Sequence, residues 1–137
     1  MTPNAERQAI ESRFQTAWAL AYPAPSAIPV AYENFPFRPT ATQIEWAELF
    51  VIHNNEQNIS MGGAATGYRR HGIIQVNIYV KKNSGAKRFR DLLESAAVIF
   101  RNTEFSSITC RAAEINQLGD SDIWYKASVS ISFFTTN

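Results

Sequence analysis

Residues 68–81, YRRHGIIQVNIYVK, alternate in character along their whole length. Gly72, Ile74, Val76, Ile78 and Val80 fall on one face, and Arg69, His71, Ile73, Gln75, Asn77 and Tyr79 on the other. Successive side chains point to opposite sides only in an extended chain, so this period of two predicts one long strand. Its first face is apolar and calls for a core. Its second is mixed: Arg69, His71, Gln75 and Asn77 need water or polar partners, whereas Ile73 and Tyr79 do not.

Helical spacing brackets this strand. Near the N-terminus, Ile10, Phe14, Ala17, Trp18 and Ala21 recur on one face, with Glu6, Arg7, Glu11 and Arg13 on the remainder. Thr2 caps this predicted helix, Pro3 takes its first position, and Pro23, Pro25 and Pro29 stop it near Tyr22. After the strand, Ser84 is the expected cap of a second helix. Its apolar face is Phe89, Leu92, Leu93, Ala96, Ala97, Ile99 and Phe100.

The remaining segments read as strands and connections. Residues 30–39, VAYENFPFRP, are aromatic and proline-punctuated, an edge strand or a strand running into an irregular arm. Residues 44–53 are rich in β-formers and read as a buried strand. Residues 54–67 turn polar and then glycine-rich, as a loop or hairpin tip does. A strand is expected over 106–116, with Ile108, Cys110 and Ala112 sharing a face, then a turn at 119–122. The last strand, 124–134, sets Tyr125, Ala127, Val129, Ile131 and Phe133 against Lys126, Ser128, Ser130 and Ser132, and pairs with its predecessor as a hairpin. The expected fold is therefore a single α+β domain over residues 1–137, a mostly antiparallel mixed sheet with two helices packed on one face.

Composition excludes several function classes. With 13 basic and 12 acidic residues, the chain lacks the basic excess that free-standing affinity for a nucleic-acid backbone requires. The single cysteine, Cys110, rules out an internal disulfide and a cysteine-based zinc cluster. The first residues are charged where a secretory signal needs an apolar run, and no segment approaches the roughly 20 apolar residues of a membrane span. These features predict a protein that works in solution, away from membranes.

Each candidate for chemistry lacks a partner. Gly62 and Gly67 have P-loop spacing, but Tyr68-Arg69 replaces the Lys-Ser/Thr pair and a strand follows where a helix is needed. His53 and His71 sit at the two ends of a predicted hairpin, a two-ligand set with no third. Cys110 reads as a small buried hydrophobe, Ser128, Ser130 and Ser132 as one face of a strand, and Asp120 and Asp122 as turn residues. Neither an enzyme nor a cofactor is expected. The cluster Lys81, Lys82, Lys87, Arg88 and Arg90 reads as a solvated helix start, with a nucleic-acid-binding module as the rival.

Several short motifs carry a family likeness. They are the run from Pro29 to Pro39, the strand Trp46-Ala47-Glu48-Leu49-Phe50-Val51, the loop Met61-Gly62-Gly63, the stretch from Tyr68 to Val76, and the closing Trp124-Tyr125. With these the chain resembles the tail terminator, or tail completion, proteins of long-tailed bacteriophages. The resemblance implies a homo-oligomeric ring, commonly of six subunits. Such a ring caps the tail tube at the head-proximal end of the virion, stops tube growth and presents a surface to head-completion proteins. It implies assembly in the host cytoplasm, with genomic DNA only passing through the lumen. It transfers no functional residue, so contact residues are chosen on expected exposure and flexibility. They are Glu33, Asn34, Phe35, Phe37 and Arg38 in the arm, and Gln57 and Met61 in the loop. Arg69, Arg70 and His71 at the head of the central strand and Lys81, Lys82 and Arg88 in the basic cluster complete them. Arg69 and Arg70 are expected to pair with acids on a neighbouring subunit. A different head-tail connector ring of similar fold is the alternative.

Overall fold

The computed structural model describes residues 2–24, 27–33, 44–58, 68–81, 86–121 and 124–136. The first helix, α1, spans Pro3–Ala21. The Thr2 hydroxyl accepts from Ala5 N at 3.1 Å, satisfying one of the four N–H groups a helix start leaves open. Glu6, Ile10, Phe14 and Trp18 recur every four residues and form its buried stripe. Beyond α1, the short strand β1 (Val30–Tyr32) precedes two long ones, β2 (Glu45–Asn58) and β3 (Tyr68–Lys81). Helix α2 covers Ala86–Phe100 and buries the seven apolar residues that its spacing predicts. A two-residue strand β4 (Glu104–Phe105) leads into the hairpin of β5 (Ile108–Ser121) and β6 (Trp124–Thr136).

One six-stranded sheet results, in the order β1-β2-β3-β6-β5-β4. Among the described residues, only β1 pairs in parallel, and every other pairing is antiparallel. Strand β3 lies between β2 and β6, and Ile74, Val76, Ile78 and Val80 face the core as the alternation predicts. Both helices cover this face. Phe14 stacks on Trp18 and Phe100 at 5.2 and 6.2 Å between ring centroids, and Phe89 meets Tyr125 edge-on at 4.9 Å. Each such ring taken from water is worth about 1.5–3 kcal/mol. Arg13 of α1 donates to the Ile99 carbonyl at 2.9 Å, near the negative end of the α2 dipole, and so fastens the helices together.

The strands depart from the sequence expectations in four places. Strand β2 runs to Asn58, through the start of the predicted loop, with a register shift between His53 and Glu56. The rest of that loop, residues 59–67, and the expected cap Ser84 lie outside the described residues. A second shift, between Cys110 and Ala113, inserts a bulge in β5. Ala112 therefore points to solvent and Ala113 packs on the core in its place. Third, β5 continues through the predicted turn to Ser121, with Gly119 at φ +80° absorbing a further shift. Fourth, β4 is an unforeseen edge strand, joined to β5 through Ser106 and Ser107, both at positive φ. Gly72 is required by packing: a Cβ there would lie 2.6 Å from Phe133 Cε1 and 2.8 Å from the Ile52 carbonyl oxygen.

Candidate assembly surface

Two polar systems lie on opposite sides of the sheet. On the helix side, Glu6 is fully buried. Its Oε1 accepts from Arg70 Nη1 and from Thr135 Oγ1, each at 2.7 Å, and its Oε2 lies 3.0 Å from His53 Nε2. Arg70 also donates from Nε and Nη2 to Glu56 Oε1 at 3.1 and 2.9 Å. The guanidinium is held above its ordinary pKa by these two carboxylates, against the opposing effect of burial. This network ties the first turn of α1 to β2, β3 and β6.

Arg70 is thus corrected from an expected neighbour-facing residue to an internal one, 6% exposed. The alternation already contained the signal, since position 70 shares its parity with Gly72 and Ile74. Glu6, expected on the solvent side of α1, is corrected likewise: it sits four residues before Ile10, on the same stripe. The two histidines do not meet. His53 lies opposite Gly72 in the register, so His53 and His71 occupy opposite faces of the sheet. Among the described residues, no group of three or more His, Cys, Asp or Glu side chains gathers as a metal site.

Neither helix packs against the other side of the sheet. Trp46, Glu48, Phe50 and Ile52 from β2 face that way, with Arg69 to Tyr79 at odd positions of β3 and Trp124 to Phe134 at even positions of β6. Trp46 stacks on Tyr79 at 4.2 Å, and Trp124 meets Trp46 edge-on at 6.3 Å. The Tyr79 hydroxyl donates to Glu48 Oε1 at 2.5 Å, Asn77 Nδ2 donates to the same oxygen at 3.4 Å, and Gln75 donates to Asn77 at 3.0 Å. Burial, and then the Glu48 hydrogen bond, push the Tyr79 phenol well above its ordinary pKa. At the other end of the face, the guanidinium groups of Arg69 and Arg111 lie over the Phe134 ring at 4.5 and 5.2 Å, with the His71 ring 6.4 Å away.

The other sequence-selected residues divide clearly. Glu33 is exposed in the turn after β1. Gln57 lies on β2 opposite Arg69. Lys81 ends β3, where its N–H donates to the Ile44 carbonyl at 3.1 Å. Arg88 is occupied within the chain, donating to Glu45 at 3.1 and 2.6 Å and lying over Tyr22. Lys87 pairs with Asp91 at 3.2 Å. Both cations therefore have acidic partners within the chain. Asn34, Phe35, Phe37, Arg38, Met61 and Lys82 lie outside the described residues. Sequence reasoning missed Arg111 and Phe134, because the strand order, which sets β6 between β3 and β5, decides that Arg69 and Arg111 meet that ring.

A family model described as phage tail terminator protein matches residues 7–133. The chain belongs to the phage tail terminator family. It is accordingly a structural component of a phage tail. A solved structure has the same fold, with a TM-score of 0.73 over 98% of this chain and 96% of that one, at 21% sequence identity. No curated protein matches. The match takes in α1 from Arg7, all of α2, the sheet face away from the helices except Phe134, and the Glu6 network except Glu6 itself and Thr135.

Proposed function

We propose that copies of this chain close into a ring, of six subunits as its relatives' ring is expected to be, that caps the finished tail tube. The ring stops tube polymerisation and presents its far side to head-completion proteins, at the head-proximal end of the virion. Its subunits are made in the host cytoplasm, and genomic DNA passes through the lumen.

The observation that carries this reading is the sheet face turned away from both helices, in a chain that belongs to a tail protein family. That face joins apolar rings to guanidinium groups that form no ion pair among the described residues, a mixture typical of subunit contacts. Termination follows from differential binding. One side of a heterologous ring docks on the tube end as a tube subunit does, and the other side lacks the next docking surface. Electron microscopy of tails assembled with and without the protein tests this. Overlong or unjoined tails are expected in its absence, and tails of normal length joined to heads would refute it.

A further inference from the structure

Phe134 carries two cations on one ring, Arg69 of β3 at 4.5 Å and Arg111 of β5 at 5.2 Å from its centroid. Neither forms an ion pair among the described residues, and Arg69 Nε is buried there with no hydrogen-bond partner. Like charges gathered this way repel, and buried donors in native proteins are rarely left unsatisfied. A guanidinium lying over a ring still has in-plane N–H groups to offer, and these match a carboxylate in bidentate fashion. Such a pair of guanidiniums suits an oxyanion.

The chain itself carries a fitting one. Most described acids are held by internal donors, as Glu6, Glu45 and Glu48 are. Glu33, Glu104 and Glu114 have no ion pair or hydrogen bond among the described residues. Glu104 and Glu114 stand on β4 and β5, at the same end of the sheet as Arg111. A contact through either keeps to one edge of the sheet, the arrangement a closed twofold pair uses. Glu33 follows β1, the opposite edge of the sheet. A contact that uses one edge of one copy and the other edge of the next is heterologous and repeats around a ring. The geometry points to a salt-bridged contact between copies of this chain, in which Arg69 and Arg111 of one copy take the Glu33 carboxylate of the next. The net charge of +1 disfavours DNA as the oxyanion, since a polyanion is held by a large basic excess.

This inference rests on the ring reading above, and charge reversal separates the two. The full chain is studied by sedimentation at rising concentration, and by co-pelleting with tail tubes. Glu33→Arg and Arg111→Glu are each expected to weaken association of copies roughly tenfold or more. The double variant, with the pair reversed, is expected to return to within about threefold of the wild type. Both residues are exposed, so circular dichroism and the melting temperature stay unchanged and exclude misfolding. Single variants that associate like the wild type overturn the pairing and leave the ring reading standing. A wild type that associates neither in solution nor on tubes ends both. Loss of association in Glu104→Arg or Glu114→Arg, with Glu33→Arg unaffected, overturns the choice of acid. Salt-sensitive binding of a short DNA duplex that disappears in an Arg69→Ala/Arg111→Ala variant also overturns the proposal, in favour of nucleic acid.

Discussion

Glu6 has no exposed surface and three polar partners on three strands. A carboxylate so placed is tolerable only while its partners remain, because an unpaired buried charge is expensive. Glu6→Met alone leaves Arg70 buried with only one of its two carboxylate partners and is expected to cost about 3–5 kcal/mol. Arg70→Met strands the Glu6 charge and costs a similar amount. The double variant should cost less than the sum by more than about 1 kcal/mol, since the second change removes the charge the first one stranded. Urea unfolding of the four proteins measures this, and strict additivity would mean the two residues act independently. Gly72 is constrained by space alone. Gly72→Ala should lose about 1–3 kcal/mol by overpacking, and Phe133→Leu should recover part of it in the same assay.

Among the elements, the β4–β5 hairpin stores strain. Ser106 and Ser107 have φ of 46° and 67°, a left-handed pair that side chains disfavour and that Asn-Gly adopts readily. Ser106→Asn/Ser107→Gly is expected to raise stability by about 1–2 kcal/mol, read as a higher denaturant midpoint. The face of β2 and β3 turned away from the helices has a pH signature. The Tyr79 phenol sits above its ordinary pKa of 10.0 because burial and Glu48 both oppose its ionisation. A group raised in the folded state stabilises fully below its unfolded pKa, and that contribution is lost as pH climbs toward the folded value. Stability should therefore fall above about pH 10. Tyr79→Phe should flatten part of that decline; Tyr32 and Cys110, also raised by burial, retain the rest. An unchanged slope in Tyr79→Phe would remove Tyr79 from the account.

At the scale of the molecule, the two ends of the sheet are unlike: β1 with Glu33 at one, and β4 and β5 with Arg111 at the other. Unlike ends make a specific prediction for mixtures. Arg111→Glu and Glu33→Arg proteins each associate poorly alone. Mixed in equal amounts they should associate again. In alternating copies every contact sets an acid against a base, with the native polarity at one contact and the reversed polarity at the next. Sedimentation of the mixture checks this, and an inert mixture would exclude the head-to-tail arrangement.

The period of two in residues 68–81 determined that a long strand existed and which face it buried. The spacing at Phe89, Leu92, Leu93 and Ala96 did the same for α2. Such patterns survive in a sequence because burial is periodic in a regular element. The motifs around Tyr32, Trp46 and Tyr68 were also enough to point to the family. Tertiary structure alone decided what depends on residues distant along the chain. Alternation puts Arg70 on the inner face, but only the fold brought Glu6, 64 residues away, to pair with it. Ala112 gave way to Ala113 because a bulge was needed to keep β5 in register with β6. Arg69 and Arg111 met over Phe134 because β6 lies between their two strands, an order that no local pattern states. The central strand was therefore legible from its own residues, whereas the charge of the surface it presents was set by its neighbours.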